Sequence, residues 1–279
     1  MIHFTSVELN AWLAALLWPL SRVLGLIAAS PLFGNTAVPV SVKVSLGVLL
    51  AVIMTPALST LPAVDPMSMA GMLILVQEML IGLAMGFTMR IVFAAIEMAG
   101  EVSSLTMGLG FASFFDPNTA GRSSAVSQML TLIATMAFLA MNAHLVLLET
   151  LAESFISMPI SATPMSANGP LEVARWGGRI FATGLQLSLP IVAALLITNV
   201  ALGILTRAAP QLNLFGVGFP ITLTVGFLLI GATLPYLNMP IQNWFNQGIE
   251  ATRSLGRAAA ARTPARPAVP PAAPPAAAP

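Results

Sequence analysis

The side chains that could carry out chemistry are few in this chain, and they form no recognisable catalytic set. There are two histidines, His3 and His144, and no cysteine among the 279 residues, which is too few for a zinc site with the usual number of ligands. The sequence contains no Walker loop, GxSxG nucleophile turn or HExxH helix. We therefore expect no catalytic residues, no metal site and no cofactor.

The ionisable residues that stand out lie inside long apolar segments. Arg22, Glu78 and Arg90 each interrupt such a segment, and a charge at the centre of a bilayer costs roughly 2.5–3.5 kcal/mol on insertion scales. We therefore expect their helices to face protein or water, not lipid, at those depths. Arg90, Glu97 and Glu101 follow one another along one helical stripe, which favours a structural ion pair within an assembly over an ion pathway.

A further polar group lies in the stretch MNAHLVLLETLAESF. His144 follows Asn142 between two apolar runs, and Asn and His side chains often form hydrogen bonds across helix interfaces in membranes. We interpret both residues as polar ties between helices, with a proton relay as the alternative for His144. The predicted buried polar ties are Arg90, Glu97, Glu101, Asn142 and His144.

The elements that must position these residues are apolar helices. Hydrophobic residues make up 57% of the chain and charged residues 8%, with a mean hydropathy of +0.90, so the chain cannot cover an ordinary water-facing surface. The net charge of +1 argues against a nucleic-acid partner. Six apolar blocks are each long enough to span a bilayer, which predicts an all-α, membrane-associated protein built of helical hairpins. The blocks are roughly 9–33, 42–61, 71–98, 128–157, 180–206 and 212–238.

Three local features refine this description. Gly82 and Gly86 form a small-xxx-small pattern that allows close approach of helices. The stretch GLGFASFFDPNTAGRSS, residues 108–124, is too apolar for a surface loop and too rich in Gly and Pro for a helix.

Beyond residue 256 an Ala/Pro-rich tail is predicted to be disordered, and a cluster of arginines places the C-terminus in the cytoplasm by the positive-inside rule. These arginines are Arg253, Arg257, Arg262 and Arg266.

Three stretches together resemble the FliR family of the flagellar type III protein export gate. They are MGLGFASFFDPNTAGRSSAVSQ, FLAMNAHL and RAAPQLNLFGVGFPI. The combination is specific, although no single stretch is, and the resemblance extends from residue 1 to about residue 250. One departure is Ala143, where the family usually has Gly. The Ala/Pro tail lies outside the family pattern.

The resemblance implies a non-enzymatic core subunit of the export gate. One copy of such a protein assembles with several copies of FliP and FliQ into a closed helical funnel in the bacterial inner membrane, at the flagellar basal body, through which unfolded polypeptides are secreted. Homologues of FlhA and FlhB are further expected partners, together with membrane lipid. The implied domains are a FliP-like part at residues 1–175, a FliQ-like hairpin at 176–255, and the tail at 256–279.

The resemblance also assigns two sets of site residues. Residues 107–122 correspond to the family's loop that plugs the secretion pore, in which the phenylalanine rings exclude water and the glycines act as hinges. The plug residues are Met107, Gly108, Gly110, Phe111, Phe114, Phe115, Asp116, Pro117 and Gly121. The stretch RAAPQLNLFGVGFPI is implied to be a subunit interface at the tip of the FliQ-like hairpin. Its residues are Pro210, Gln211, Asn213, Phe215, Gly218 and Pro220.

Two other functions fit part of the pattern. A subunit of a virulence injectisome gate would share this architecture but export effectors, and the FFDP and NAHL stretches favour the flagellar system. A conventional multi-spanning transporter would also explain the apolar blocks and interrupting charges. A transporter of that kind usually has inverted repeats with helices broken at matching places, and no such repeat is clear in the sequence.

Overall fold

The computed structural model describes residues 6–58, 61–111, 123–161, 168–209 and 214–260, and within these ranges the chain is helical and contains no strand. The predicted all-α class is confirmed. The described α-helices are α1 (Ser6–Ala29), α2 (Val40–Met54), α3 (Met69–Thr106), α4 (Ala125–Ala140), α5 (Ala143–Ser157), α6 (Asn168–Gly177), α7 (Arg179–Ala208) and α8 (Phe219–Ala260). Short helical turns occupy Thr55–Ala57, Leu109–Phe111 and Leu214–Gly218.

Several of these helices have the length and composition of membrane spans. In the described residues four helical segments are long and apolar enough to cross a bilayer, and the bent pair α4 and α5 would make a fifth if the two count as one span. The central helix is α3, which packs against α1, α4, α7 and α8. At 38 residues it is about 57 Å long at the α-helical rise, well beyond the ~30 Å hydrocarbon core.

The fourth apolar block forms two helices, although its hydropathy predicts one. α4 and α5 meet at an angle of 66°. The break lies at Asn142, which has left-handed backbone angles of φ 55° and ψ 21°. Asn is among the few residues other than Gly that enter this region readily. Asn142 is exposed and makes no capping bond with its side chain, so the prediction that it is a buried tie is wrong for the isolated chain.

The C-terminal part differs from the expectation in two further ways. A short amphipathic helix, α6, precedes α7 and was not predicted, because its ten residues are too few to give a clear apolar block. α8 continues to Ala260, so residues 256–260, expected in the disordered tail, are helical. Alanine has the highest helix propensity, and an Ala-rich stretch extends a helix until a proline follows.

The closest helix contact is between α1 and α3, which run side by side in the same direction. A methyl group added at Gly82 would overlap the backbone carbonyl of Arg22, and one added at Gly86 would overlap the carbonyl of Leu26. The small-xxx-small pattern therefore marks the place where the two backbones touch, as predicted from the sequence. In membranes such contacts replace the hydrophobic driving force as a source of helix association.

This contact gives a matched pair of substitutions with opposite expected effects. We expect Gly82→Ala to destabilise the chain by about 1–3 kcal/mol, because α1 must move away to make room. A methyl group added at Gly203 on α7 would have no atom within 4 Å, so Gly203→Ala should stabilise the chain by about 0.5–1 kcal/mol through helix propensity. Thermal unfolding in detergent measures both; equal shifts for the two variants would contradict the packing argument.

Aromatic side chains hold the other helices on α3. The rings of Phe93, Phe138 and Phe245, from α3, α4 and α8, lie with centroids 5.1–5.6 Å apart. Trp176 and Trp244 stack at 4.9 Å, and their indole N–H groups donate hydrogen bonds to α3 carbonyls. The acceptors are the carbonyl oxygens of Thr88, at 3.3 Å, and Val92, at 3.0 Å. α6 and α8 are thereby fixed at one level of α3.

Candidate functional site

The segment implied to be the plug begins at the end of α3, and its first residue is firmly anchored. Met107 is fully buried and packs against Gly226 of α8. Its carbonyl oxygen accepts a hydrogen bond of 3.2 Å from the hydroxyl of Thr222. Gly108 follows with φ 86°, a conformation that strains any residue with a Cβ. Met107 therefore belongs to the packed core, and the chain changes direction at Gly108.

The same segment returns to α3 at the start of α4, where two carboxylates hold it. The hydroxyl of Ser123 donates a hydrogen bond to Glu97, and the backbone N–H of Ser124 donates one of 2.6 Å to Glu101. Ser124 caps α4 by accepting a hydrogen bond from the backbone N–H of Ser127 at 3.1 Å. A carboxylate beside the first turn of a helix is also stabilised by the helix dipole. The described residues that flank 112–122 are therefore fixed on both sides.

Most of the two predicted site sets falls outside the described residues. Of the plug, Phe114, Phe115, Asp116, Pro117 and Gly121 lie in the undescribed range 112–122. Gly110 and the backbone of Phe111 form the turn Leu109–Phe111. Of the interface, Pro210, Gln211 and Asn213 lie outside the description. Phe215 and Gly218 lie in the turn Leu214–Gly218, and Pro220 is the second residue of α8.

The predicted polar ties are only partly brought together. Glu97 and Glu101 do tie elements together, but their partners are Ser123 and Ser124, and Arg90 is exposed on the isolated chain. Within the described residues the structure records no ion pair for Arg90. His144 is half-buried, and its Nδ1 atom has no hydrogen-bond partner in the described part of the chain.

The strongest polar site is a pair of charges that was not predicted from the sequence. Arg22 and Glu78 are both fully buried and form an ion pair in which Nε and Nη2 of Arg22 each lie 2.6 Å from Oε2 of Glu78. The guanidinium also donates to the carbonyl of Ser154 at 2.9 Å, to its hydroxyl at 3.1 Å and to the carbonyl of Met158 at 3.0 Å. It lies 4.3 Å from the ring centroid of Phe155.

This arrangement joins three helices through one side chain. Arg22 extends from α1, Glu78 from α3, and the two carbonyl groups are at the end of α5, where backbone acceptors lack helical partners. Arg presents five N–H donors in a fixed fork, and those donors reach Oε2 of Glu78 and the helix end. Oε1 of Glu78 is buried and has no hydrogen-bond partner in the described residues. The available signal was that both charges interrupt apolar blocks and have opposite sign, since buried charges are usually paired.

In the described residues no group of three or more His, Asp and Glu side chains could hold a metal ion. Met107, Ser123 and Ser124 are fixed to the helices on either side of the undescribed segment. Arg22 joins α1, α3 and α5 farther along the fold. Such an arrangement positions a segment of chain.

The sequence profile of bacterial export proteins, family 1, matches residues 13–248. The chain belongs to this family. Among its family 1 relatives, the flagellar biosynthetic protein FliR of Pectobacterium carotovorum subsp. carotovorum is 43% identical over 249 residues, which cover 88% of this chain and 94% of that protein. The FliR protein of Escherichia coli K12 is 39% identical over the same shares, and that of Bacillus subtilis 168 is 30% identical over 84% of this chain and 91% of that protein.

The predicted resemblance is confirmed by these matches. With its apolar helices, the family 1 chain is a membrane protein and a component of the flagellar export apparatus.

Proposed function

We propose that the protein is a core subunit of the flagellar type III export gate, in the inner membrane, and that residues 107–122 plug its channel. The observation that carries the proposal is the anchoring of the loop at both ends. Met107 is fixed in the core and to Thr222, and the returning end is fixed by Glu97 and Glu101. A loop held in this way can be displaced by a passing polypeptide and return to the same place.

The C-terminal helices bury little of their apolar surface within the chain, and this supports the presence of partner subunits. In Gly169–Ala208 and Gly216–Leu255 only 17% and 22% of the most apolar window is buried within the chain, against 61% in Met69–Thr106. A family member with two such helices needs another apolar surface to cover them. We propose that FliP- and FliQ-like subunits supply most of that surface, with FlhA- and FlhB-like proteins as further neighbours. The arginines near the end of the chain favour a cytoplasmic C-terminus by the positive-inside rule.

Co-purification tests this proposal directly. We expect a tagged chain, co-expressed with FliP and FliQ homologues from its own host, to be recovered in one large complex. Expressed alone, the chain should yield little stable protein, because its C-terminal helices stay uncovered. A monodisperse, thermally stable monomer that recovers neither homologue would contradict the proposal.

A deletion strain that loses motility, and regains it with the intact gene, would support use in the flagellum over a virulence gate.

A further inference from the structure

A polar cavity lies where α6 and α8 meet α3. It has a volume of about 410 Å³. Both signs of charge occur in its wall, and the charged lining residues are Glu172, Arg175, Arg179 and Glu250. Arg175 and Glu172 form an exposed pair at 2.9 Å. The guanidinium of Arg179 lies 4.9 Å from the ring centroid of Trp176.

An apolar groove adjoins this cavity. It has a volume of about 370 Å³ and is lined by α3 residues from Leu80 to Phe87, together with residues of α6 and α8. Val173 and Leu255 line both the cavity and the groove. The two spaces therefore lie side by side and share part of their walls, with charged groups lining the cavity and only apolar side chains lining the groove. The α3 part of the groove is about 10 Å long at 1.5 Å per residue.

The position of this composite site along α3 coincides with features of a bilayer surface. The two stacked tryptophans bond to α3 at Thr88 and Val92, and Trp is enriched at the level of lipid headgroups. Arg90 lies between Thr88 and Val92 in the sequence and is exposed, so its long side chain can place its charge in the headgroup layer. Before this level, α3 exposes apolar residues from Met69 to Phe87, a length of about 27 Å that nearly matches the ~30 Å hydrocarbon core. These residues are Met69, Met72, Leu73, Val76, Met79, Leu80 and Phe87.

We propose that the cavity and groove together bind one phospholipid with a phosphoethanolamine headgroup. The arginines match the phosphate, because guanidinium groups bind it in a bidentate manner. The carboxylates match the ammonium group of the same headgroup. An acyl chain lies in the groove beside Leu80–Phe87, directed into the bilayer. A phosphatidylglycerol headgroup has no cation for the carboxylates and is bound less well.

The chemistry of the headgroup and the shape of the site can be tested separately. We would purify the full chain, with the proteins that accompany it, from bacterial membranes. Native mass spectrometry would then follow its loading with phosphatidylethanolamine, phosphatidylglycerol or phosphatidylcholine from vesicles of each lipid. We expect one tightly retained phosphatidylethanolamine per chain, with about tenfold lower occupancy of phosphatidylglycerol. Glycerophosphoethanolamine, which lacks acyl chains, and inorganic phosphate should not compete at equal concentration.

Four substitutions give matched pairs. Arg179→Gln removes a headgroup contact and Ala84→Phe fills the groove, and each should lower phosphatidylethanolamine occupancy about tenfold. Arg207→Gln and Ala201→Phe make the same changes at exposed positions on α7, outside the site, and should leave occupancy unchanged. Because Ala84→Phe does not touch a charge, a loss of binding there cannot come from altered ion pairs.

Several outcomes would overturn the proposal. Equal occupancy of phosphatidylethanolamine and phosphatidylglycerol would remove the assigned headgroup. Competition by glycerophosphoethanolamine or inorganic phosphate would show an anion site without a lipid chain. Undiminished lipid retention in both Arg179→Gln and Ala84→Phe would place the lipid elsewhere. A site that is covered by an accompanying protein and retains no lipid would show that protein, not lipid, occupies it.

Discussion

Replacing Arg22 by Met should prevent the chain from accumulating as a folded protein. The substitution leaves the carboxylate of Glu78 buried without its cation and removes the donors from the carbonyl groups of Ser154 and Met158. Removing one partner of a buried ion pair typically costs about 3–5 kcal/mol, which is a large part of the stability of an ordinary protein. The amount of protein in the membrane and its thermal unfolding in detergent measure the effect.

Two further variants separate the loss of the pair from a general loss of charge. Arg22→Met combined with Glu78→Met should recover much of the stability, because no unpaired charge stays buried. We expect the recovery to be incomplete, because the carbonyl oxygens of Ser154 and Met158 still lack the donors that Arg22 provided. Glu153→Gln disturbs the half-exposed pair between Glu153 and Arg253, 3.2 Å apart, and should cost no more than about 1 kcal/mol. If Arg22→Met were as stable as Glu153→Gln, the three-helix junction would not be important for folding.

The helices themselves could be predicted well because apolar block length is a local property. The first, third and fifth predicted blocks correspond to α1, α3 and α7, with ends within a few residues in most cases. The bend between α4 and α5 was missed because a single Asn in a left-handed conformation leaves hydropathy unchanged. α6 was missed because it is short and contains Glu172 and Arg175, so its residues do not form an apolar block.

The polar contacts were harder to predict because their partners are distant in sequence. Arg22 meets Glu78 across 56 residues and Ser154 across 132, and only the packing of α1, α3 and α5 brings them together. Glu97 and Glu101, expected as buried ties, are half-buried and bind the start of α4. Their partners were assigned wrongly within the chain, because helical spacing suggested Arg90 and ignored the serines that begin α4.

The largest functional effect is expected from the plug. We expect replacement of Phe111, Phe114 and Phe115 together by Ser to give an assembled but leaky export gate. Burial of one phenylalanine contributes roughly 1.5–3 kcal/mol, so three rings are enough to hold a loop in a pore and still allow its displacement. The anchors at Met107, Glu97 and Glu101 are untouched, and the helices should therefore pack as before. Uptake of a small solute into cells, together with growth rate and motility, measures the leak.

The control for this prediction uses a phenylalanine of the core. Phe93 lies in the ring cluster with Phe138 and Phe245, and truncating a buried Phe costs about 3–5 kcal/mol. Phe93→Ser should therefore lower the yield of the complex without making the remaining complexes leaky. The two variants thus separate a seal from a packing role, because one alters permeability at constant yield and the other alters yield at constant permeability. If the triple plug variant collapses assembly as Phe93→Ser does, the three rings pack between helices. If it assembles and still excludes small ions, another part of the gate forms the seal.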